Sequence, residues 1–370
     1  MKNRNVLILA LLVVGFLFLC CVGIVGGAFF YRFNIEKEPP SIPKREVQVT
    51  VIAPTSTTED LLPSPTTPNN TPEPSKIPQQ ESSREIPTPN SETLETLESM
   101  EVPINDPIAL AERLEGKENI PETKPVSDLN REVGEKATFW VMDTDTVENF
   151  QITATLQAVT DHLYFWIEDG VDFSERELDA LAEAFETQIY PTNREFFGSE
   201  WKPGVDNDPH LYVIYARGLG ANLAGYFSSV DEYHPLANEY SNAHETFMLN
   251  ADTIGLGETF TYGVLAHEFQ HMIHWYGDMN ETSWLNEGFS ELATLLNGYR
   301  NSSGFDYVYA QNPDLQLNDW PNDSAKTTPH YGSSFLFVTY FLDRFGNEAT
   351  QALVSHDLNG MSSVDRVLQD

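Results

Sequence analysis

The chain has 370 residues and a formal charge of −35, with 56 acidic side chains against 21 Lys and Arg. That imbalance excludes a nucleic-acid binder and a protein held on anionic lipid by basic patches, and it favours a well-solvated surface. Both cysteines, Cys20 and Cys21, sit in one apolar run near the N-terminus, so the remainder must rely on its core without disulfides and offers no thiol chemistry.

That run, residues 6–31, contains no charged side chain and follows Lys2 and Arg4. Its length suits a helix across a bilayer, and the preceding cations place the N-terminus on the cytoplasmic side. The expectation for 1–32 is an uncleaved membrane anchor; the alternative is a signal sequence cut after Gly26-Gly27-Ala28. In either case the rest of the chain is exported, as a tethered extracellular domain or as a secreted protein. Residues 33–106 are dominated by Pro, Thr, Ser and Glu and lack hydrophobic periodicity. Such a segment cannot bury enough apolar surface to offset chain entropy, so it reads as a disordered stalk. A stalk of this length holds a domain on the order of 100–200 Å from a membrane.

The globular part is expected over 107–370. A short amphipathic piece at 108–114 precedes strand signals at 137–142, 150–159 and 162–168, all rich in β-branched or aromatic residues. Ser174-Glu175-Arg176-Glu177 has the form of a capping box and opens a helix through Ile189, which Pro191 closes. Further short strands are expected at 210–216, 226–228 and 245–250. Strands first and helices after predict an α+β domain: a mixed sheet with one helix against it, then a mainly helical lobe, with a site in the cleft between them. Acidic loops are candidate Ca2+ ligands, and Asp206-Asn207-Asp208 is the densest. It lacks the spacing of an EF-hand, so a solvated turn is the expectation there.

Ala266-His267-Glu268-Phe269-Gln270-His271 carries H-E-x-x-H among apolar residues that recur at helical spacing, Val264, Leu265, Met272, Ile273 and Tyr276. His267 and His271 therefore project from one face of a helix, a turn apart. Two neutral imidazoles so held fit two corners of a tetrahedral zinc site. Glu268, turned off that row, is placed to act on a water rather than to bind the ion. The bland alternative is a helix with two ordinary histidines. Against it stands Ser283-Trp284-Leu285-Asn286-Glu287-Gly288-Phe289-Ser290-Glu291, a largely apolar second helix with Glu287 and Glu291 a turn apart. A catalytic zinc takes three protein ligands and keeps one position for water, and Glu287 supplies the third. Glu291, joined by Asn286, is placed to accept the remaining N–H of a ligand histidine and fix its tautomer. His274, seven positions after His267, lies near the same face as a cleft-lining residue or a competing ligand. His162, His210, His234 and His244 are lone histidines for which a structural role is the default.

His-Glu-Phe-Gln-His followed by Trp-Leu-Asn-Glu-Gly-Phe resembles the gluzincin metallopeptidases, the thermolysin-like and aminopeptidase N-like families whose third zinc ligand is a Glu. The pattern is most similar to the hyicolysin-type neutral metalloproteases of bacteria, and a fainter likeness runs from about Arg131 to the end. The resemblance implies a zincin-like fold, one catalytic Zn2+ on His267, His271 and Glu287, Glu268 as base and acid, and a protein or peptide substrate. It also implies a Tyr or His downstream that steadies the charge on the carbonyl oxygen, and Tyr331, ahead of His330, fits that place before an apolar helix at 335–345 closed by Gly346. One departure concerns spacing: fifteen residues separate His271 from Glu287, fewer than in thermolysin or the aminopeptidases, so the helix connection must be tight. Gly277, Asp278 and Asn280 supply its turn chemistry. The aminopeptidases carry a Gly-x-Met-Glu-Asn segment that the residues His244 to Asn250 do not match. An endopeptidase is therefore expected, with an aminopeptidase as the alternative. From another class, an inactive surface-binding module on this fold should have lost a ligand or the base, and all four residues are present. The sequence stops soon after the amphipathic stretch 364–368, so the domain is taken as open to continuation beyond it.

Overall fold

The computed structural model describes residues 93, 96, 105–127, 130–300, 304–321 and 324–369. The expected anchor and nearly all of the expected stalk lie outside them. Among the described residues no helix is long and apolar enough to cross a membrane. Helix α1 (Pro107–Glu115) is set by its ends: the Asp106 side chain accepts from the Ile108 and Ala109 backbone N–H groups, and Gly116 turns the chain out at φ 68°.

A six-stranded sheet follows, made of β1 (Lys136–Asp143), β2 (Glu148–Val159), β3 (Leu163–Glu168), β4 (Leu211–Ala216), β5 (Gly225–Phe227) and β6 (Thr246–Asn250). Its spatial order is β1-β2-β3-β4-β6-β5. The pairs β3–β4 and β4–β6 are parallel and the others antiparallel, which makes the sheet mixed as expected. The parallel strands are near-continuous apolar runs because both of their faces are covered. One face carries Phe165, Val213 and Phe247 into the helical core, and the other carries Trp166, Tyr212 and Met248 against Phe139, Ile152 and Leu156.

Helix α2 (Glu175–Ala184) begins where expected, but Ser174 makes no side-chain cap and the first turn is held by backbone bonds to its carbonyl. Nor does Pro191 close the helix. The chain passes through a π-helical turn, Phe185–Ile189, and continues as α3 (Tyr190–Phe197). The wide turn sends the Tyr190 N–H to the carbonyl of Phe185, five residues back. Pro191, which has no N–H to donate, then falls in a first helical turn, where none is needed. Asp206 and Asp208 likewise depart from the solvated turn expected of them: they are 0 % and 1 % exposed. Asp206 Oδ2 lies 2.6 Å from His244 Nδ1 and Asp208 Oδ1 lies 2.5 Å from His210 Nδ1, with the two imidazoles stacked on Tyr212 and Tyr164.

The H-E-x-x-H sequence lies in α4 (Thr259–Gly277), which buries Leu265, Phe269, Met272 and Ile273. Phe269 has no exposed surface and packs with Phe185, Tyr190 and Phe247 at centroid distances of 5.5, 5.4 and 6.1 Å. This anchoring holds the helix to the sheet between its two motif histidines. Five residues, 278–282, lead to α5 (Ser283–Leu296), and Asp278 Oδ1 accepts from Asn280 N in that turn. Then come α6 (Phe305–Ala310), α7 (Thr328–Val354) and α8 (Met361–Val367). The apolar helix expected at 335–345 starts seven residues earlier, so His330 and Tyr331 lie in its first turn. Gly346, at φ 83°, breaks it before a further helical stretch.

Candidate metal centre

In α4 the one-turn spacing brings His267 Nε2 and His271 Nε2 to 3.0 Å from each other. Helix α5 delivers Glu287 Oε2 to 3.3 Å from each of them. The opposite ring nitrogens are held from behind. His267 Nδ1 is 3.4 Å from Glu291 Oε1, and Glu291 is in turn held by Arg300 at 2.5 Å. His271 Nδ1 is 3.2 Å from Asn286 Oδ1 and 3.0 Å from Ser290 Oγ. These acceptors assign the proton of both rings to Nδ1 and leave both Nε2 atoms as lone pairs. Two nitrogen lone pairs and a carboxylate oxygen then meet at one point, where the buried Glu287 Oε2 makes no hydrogen bond. That convergence is repulsive unless a proton or a metal cation occupies it. The spacings match zinc, whose bonds of about 2.0–2.1 Å set neighbouring tetrahedral donors about 3.3–3.4 Å apart. The residues present therefore fit this ion.

Charge in the cluster leans the same way. Burial works against a charged His267, yet Glu287, Glu291 and Glu268 outweigh it and hold its pKa well above the ordinary value. Burial would raise Glu287, but His271 and His267 prevail and hold its carboxyl well below the usual range. The carboxylates thus favour positive charge at this point, where a proton on His267 Nε2 and a metal ion compete for the same place. Glu268 is pushed up by burial, against the pull of His267 and His271, and its Oε2 accepts the Phe227 backbone N–H at 2.8 Å. That bond from β5 turns the carboxylate away from the ligand point and towards a cavity of about 420 Å³ that His267, His271, Glu287 and Tyr331 also line.

Tyr331 brings its ring to 6.4 Å from His267. Burial, then Glu287, Glu268 and Glu291, hold its pKa well above the ordinary value, so its hydroxyl keeps its proton. His330 is buried with its ring against Trp320 and is not among the residues lining the cavity. His274 is 2 % exposed, lies 3.0 Å from Asn286 Oδ1 through Nδ1, and is kept neutral by burial and by His271, with its pKa lowered to about 4. It groups with Asp278 and Glu281, apart from His267, His271 and Glu287. Sequence reasoning missed Ser290, Arg300 and the Phe227 N–H. Ser290 sits between Glu287 and Glu291 and was within reach of a helix-face reading; the other two come from segments with no local signal.

No family model matches the chain. The neutral metalloprotease ShpI of Staphylococcus hyicus is 24% identical over 285 residues, which cover 70% of this chain and 59% of ShpI. The match thus spans less than two thirds of that relative's length. Among solved structures, the crystal structure of an M1 zinc metallopeptidase from Deinococcus radiodurans aligns with 64% of this chain and 57% of its own, at 11% identity and a TM-score of 0.35. A likeness that slight carries no argument.

Proposed function

We propose that the chain is a zinc-dependent metallopeptidase that cleaves internal peptide bonds, akin to the hyicolysin-type enzymes. The observation that carries this reading is the meeting of His267 Nε2, His271 Nε2 and Glu287 Oε2 at one point on the wall of a cavity, with Glu268 beside it. The similarity to a neutral metalloprotease supports it. A zinc ion held there supplies Lewis acidity towards the scissile carbonyl and lowers the pKa of water. Glu268, desolvated and steadied by the Phe227 N–H, takes the proton of the attacking water and hands it to the departing amine. Tyr331, protonated across the working range, donates its hydroxyl to the oxygen that gains negative charge. Glu291, Asn286 and Ser290 hold both imidazoles in the Nδ1–H form, so that each keeps its lone pair for the metal.

The apolar run at 6–31 and the Pro-rich stretch after it support an exported domain, tethered or secreted. The test is cleavage of an N-terminally blocked peptide by the purified chain. Cutting at internal bonds, lost with a chelator and restored by zinc, is the expected result. No cleavage by the zinc-loaded chain, or cleavage indifferent to chelation, would refute the reading.

A further inference from the structure

A second cluster stands at the end of α4. His274, Asp278 and Glu281 each offer one ligand atom, and these atoms lie within 4.8 Å of one another. Each side chain has its other polar atom already committed. His274 Nδ1 faces Asn286 Oδ1 at 3.0 Å, Asp278 Oδ1 accepts from Asn280 N, and Glu281 Oε1 accepts from the backbone N–H groups of Thr282 and Gly360. What remains points inward without a partner: His274 Nε2 and Asp278 Oδ2 are both buried and make no hydrogen bond.

Asn286 decides the chemistry. Its single Oδ1 accepts from Nδ1 of both His271 and His274, so His274 too carries its proton on Nδ1 and presents Nε2 as a bare lone pair. A buried imidazole lone pair directed at two half-buried carboxylates on the cavity wall is unfavourable without a cation between them. We infer that His274, Asp278 and Glu281 form a second metal site that takes a divalent transition cation of the zinc type. One imidazole with two carboxylates suits such an ion, whereas calcium and magnesium prefer all-oxygen sets. A small rotation of the half-buried Asp278 or Glu281 side chain closes the present spread onto bonds of about 2.0–2.2 Å.

The position suggests what the ion would do. His274 belongs to α4, while Asp278 and Glu281 belong to the five-residue turn into α5, and Glu281 also holds the backbone just before α8 through Gly360. A cation there ties together the two helices that carry His267, His271 and Glu287. The two sites share Asn286 and a common cavity wall but no ligand, so this inference stands or falls separately from the peptidase reading.

The test is zinc stoichiometry of the metal-stripped full chain, equilibrated at a fixed free-zinc level, for the parent and three variants. The parent should take two equivalents. Asp278→Asn and Glu281→Gln, which keep the backbone-accepting oxygens and so the turn, should each take one, and His271→Ala should also keep one. Calcium in place of zinc should not fill the second site. One equivalent in the parent, lost in His271→Ala and kept in Asp278→Asn, overturns the second site and leaves the first intact. One equivalent lost in Asp278→Asn and kept in His271→Ala upholds the second site and removes the first. Two equivalents unchanged by both Asp278→Asn and Glu281→Gln would also overturn the proposal.

Discussion

Glu268 differs from its neighbours in what it does not touch. His267 and His271 spend their Nε2 atoms on the common point, while the Glu268 carboxylate is drawn aside by the Phe227 N–H and kept basic by burial. Glu268→Gln preserves that hydrogen bond and the shape but cannot accept a proton. Peptide cleavage should fall by about 10²–10⁴-fold while zinc content stays at the parent level; unchanged cleavage would remove the base from the mechanism. Tyr331→Phe deletes the hydroxyl alone and should lower kcat by about 10²–10³-fold with little change in KM. A variant that lost KM instead would make Tyr331 a binding residue. The cluster of His267, His271 and Glu287 was legible in the sequence because His267 and His271, like Glu287 and Glu291, are spaced one helical turn apart, and a turn is a local rule. Arg300 and the Phe227 N–H were not: Arg300 folds back from the irregular segment just after α5, which carries no periodic signal, and Phe227 comes from a strand 41 residues before Glu268.

At the level of elements, hydrophobic periodicity located the strands and the H-E-x-x-H helix, whereas punctuation misled. Pro191 reads as a stop, yet a π-helical turn absorbs it, since the wider turn shifts the hydrogen bonds ahead of the proline. Asp206 and Asp208 read as surface charge, yet each is paired to a histidine that comes from elsewhere in the fold for one of them and two residues away for the other. The start of α7 was missed for a related reason: its first turn, with Pro329, His330 and Tyr331, has no apolar stripe of its own and is held by close approach to α6. Gly332 makes that approach possible, because a Cβ there would come to 2.1 Å from the Phe305 carbonyl oxygen. A backbone atom cannot step aside, so Gly332→Ala must part the two helices and shift Tyr331. It should cost about 1–3 kcal/mol in urea unfolding and lower kcat with it; a variant as stable and active as the parent would show that the contact is not tight.

Across the whole molecule the acidic excess reaches the interior. Glu232 and Glu245 are both 1 % exposed, and neither oxygen of Glu232 has a hydrogen-bond donor. Burial, and then Glu245, push Glu232 well above the usual carboxylate range; burial, and then Asp206, raise Glu245 to about 8; burial raises Asp231 to about 7. The folded chain therefore keeps protons that the unfolded chain releases above about pH 4. Stability from these groups is full below that pH and declines as pH climbs through about 7–8, by an amount on the order of a few kcal/mol. Urea midpoints should fall between pH 5 and pH 8, and Glu232→Gln should flatten the fall; a midpoint that rises over that interval would contradict the buried-proton reading. Above all, the peptidase reading rests on where the metal sits. A crystal of the zinc-loaded chain, measured at the zinc absorption edge, is the most direct check. The expected map has an anomalous peak about 2.0–2.2 Å from His267 Nε2, His271 Nε2 and a Glu287 oxygen, with one side open to the cavity. A map with no peak at that point, whatever zinc it shows elsewhere, would contradict the reading.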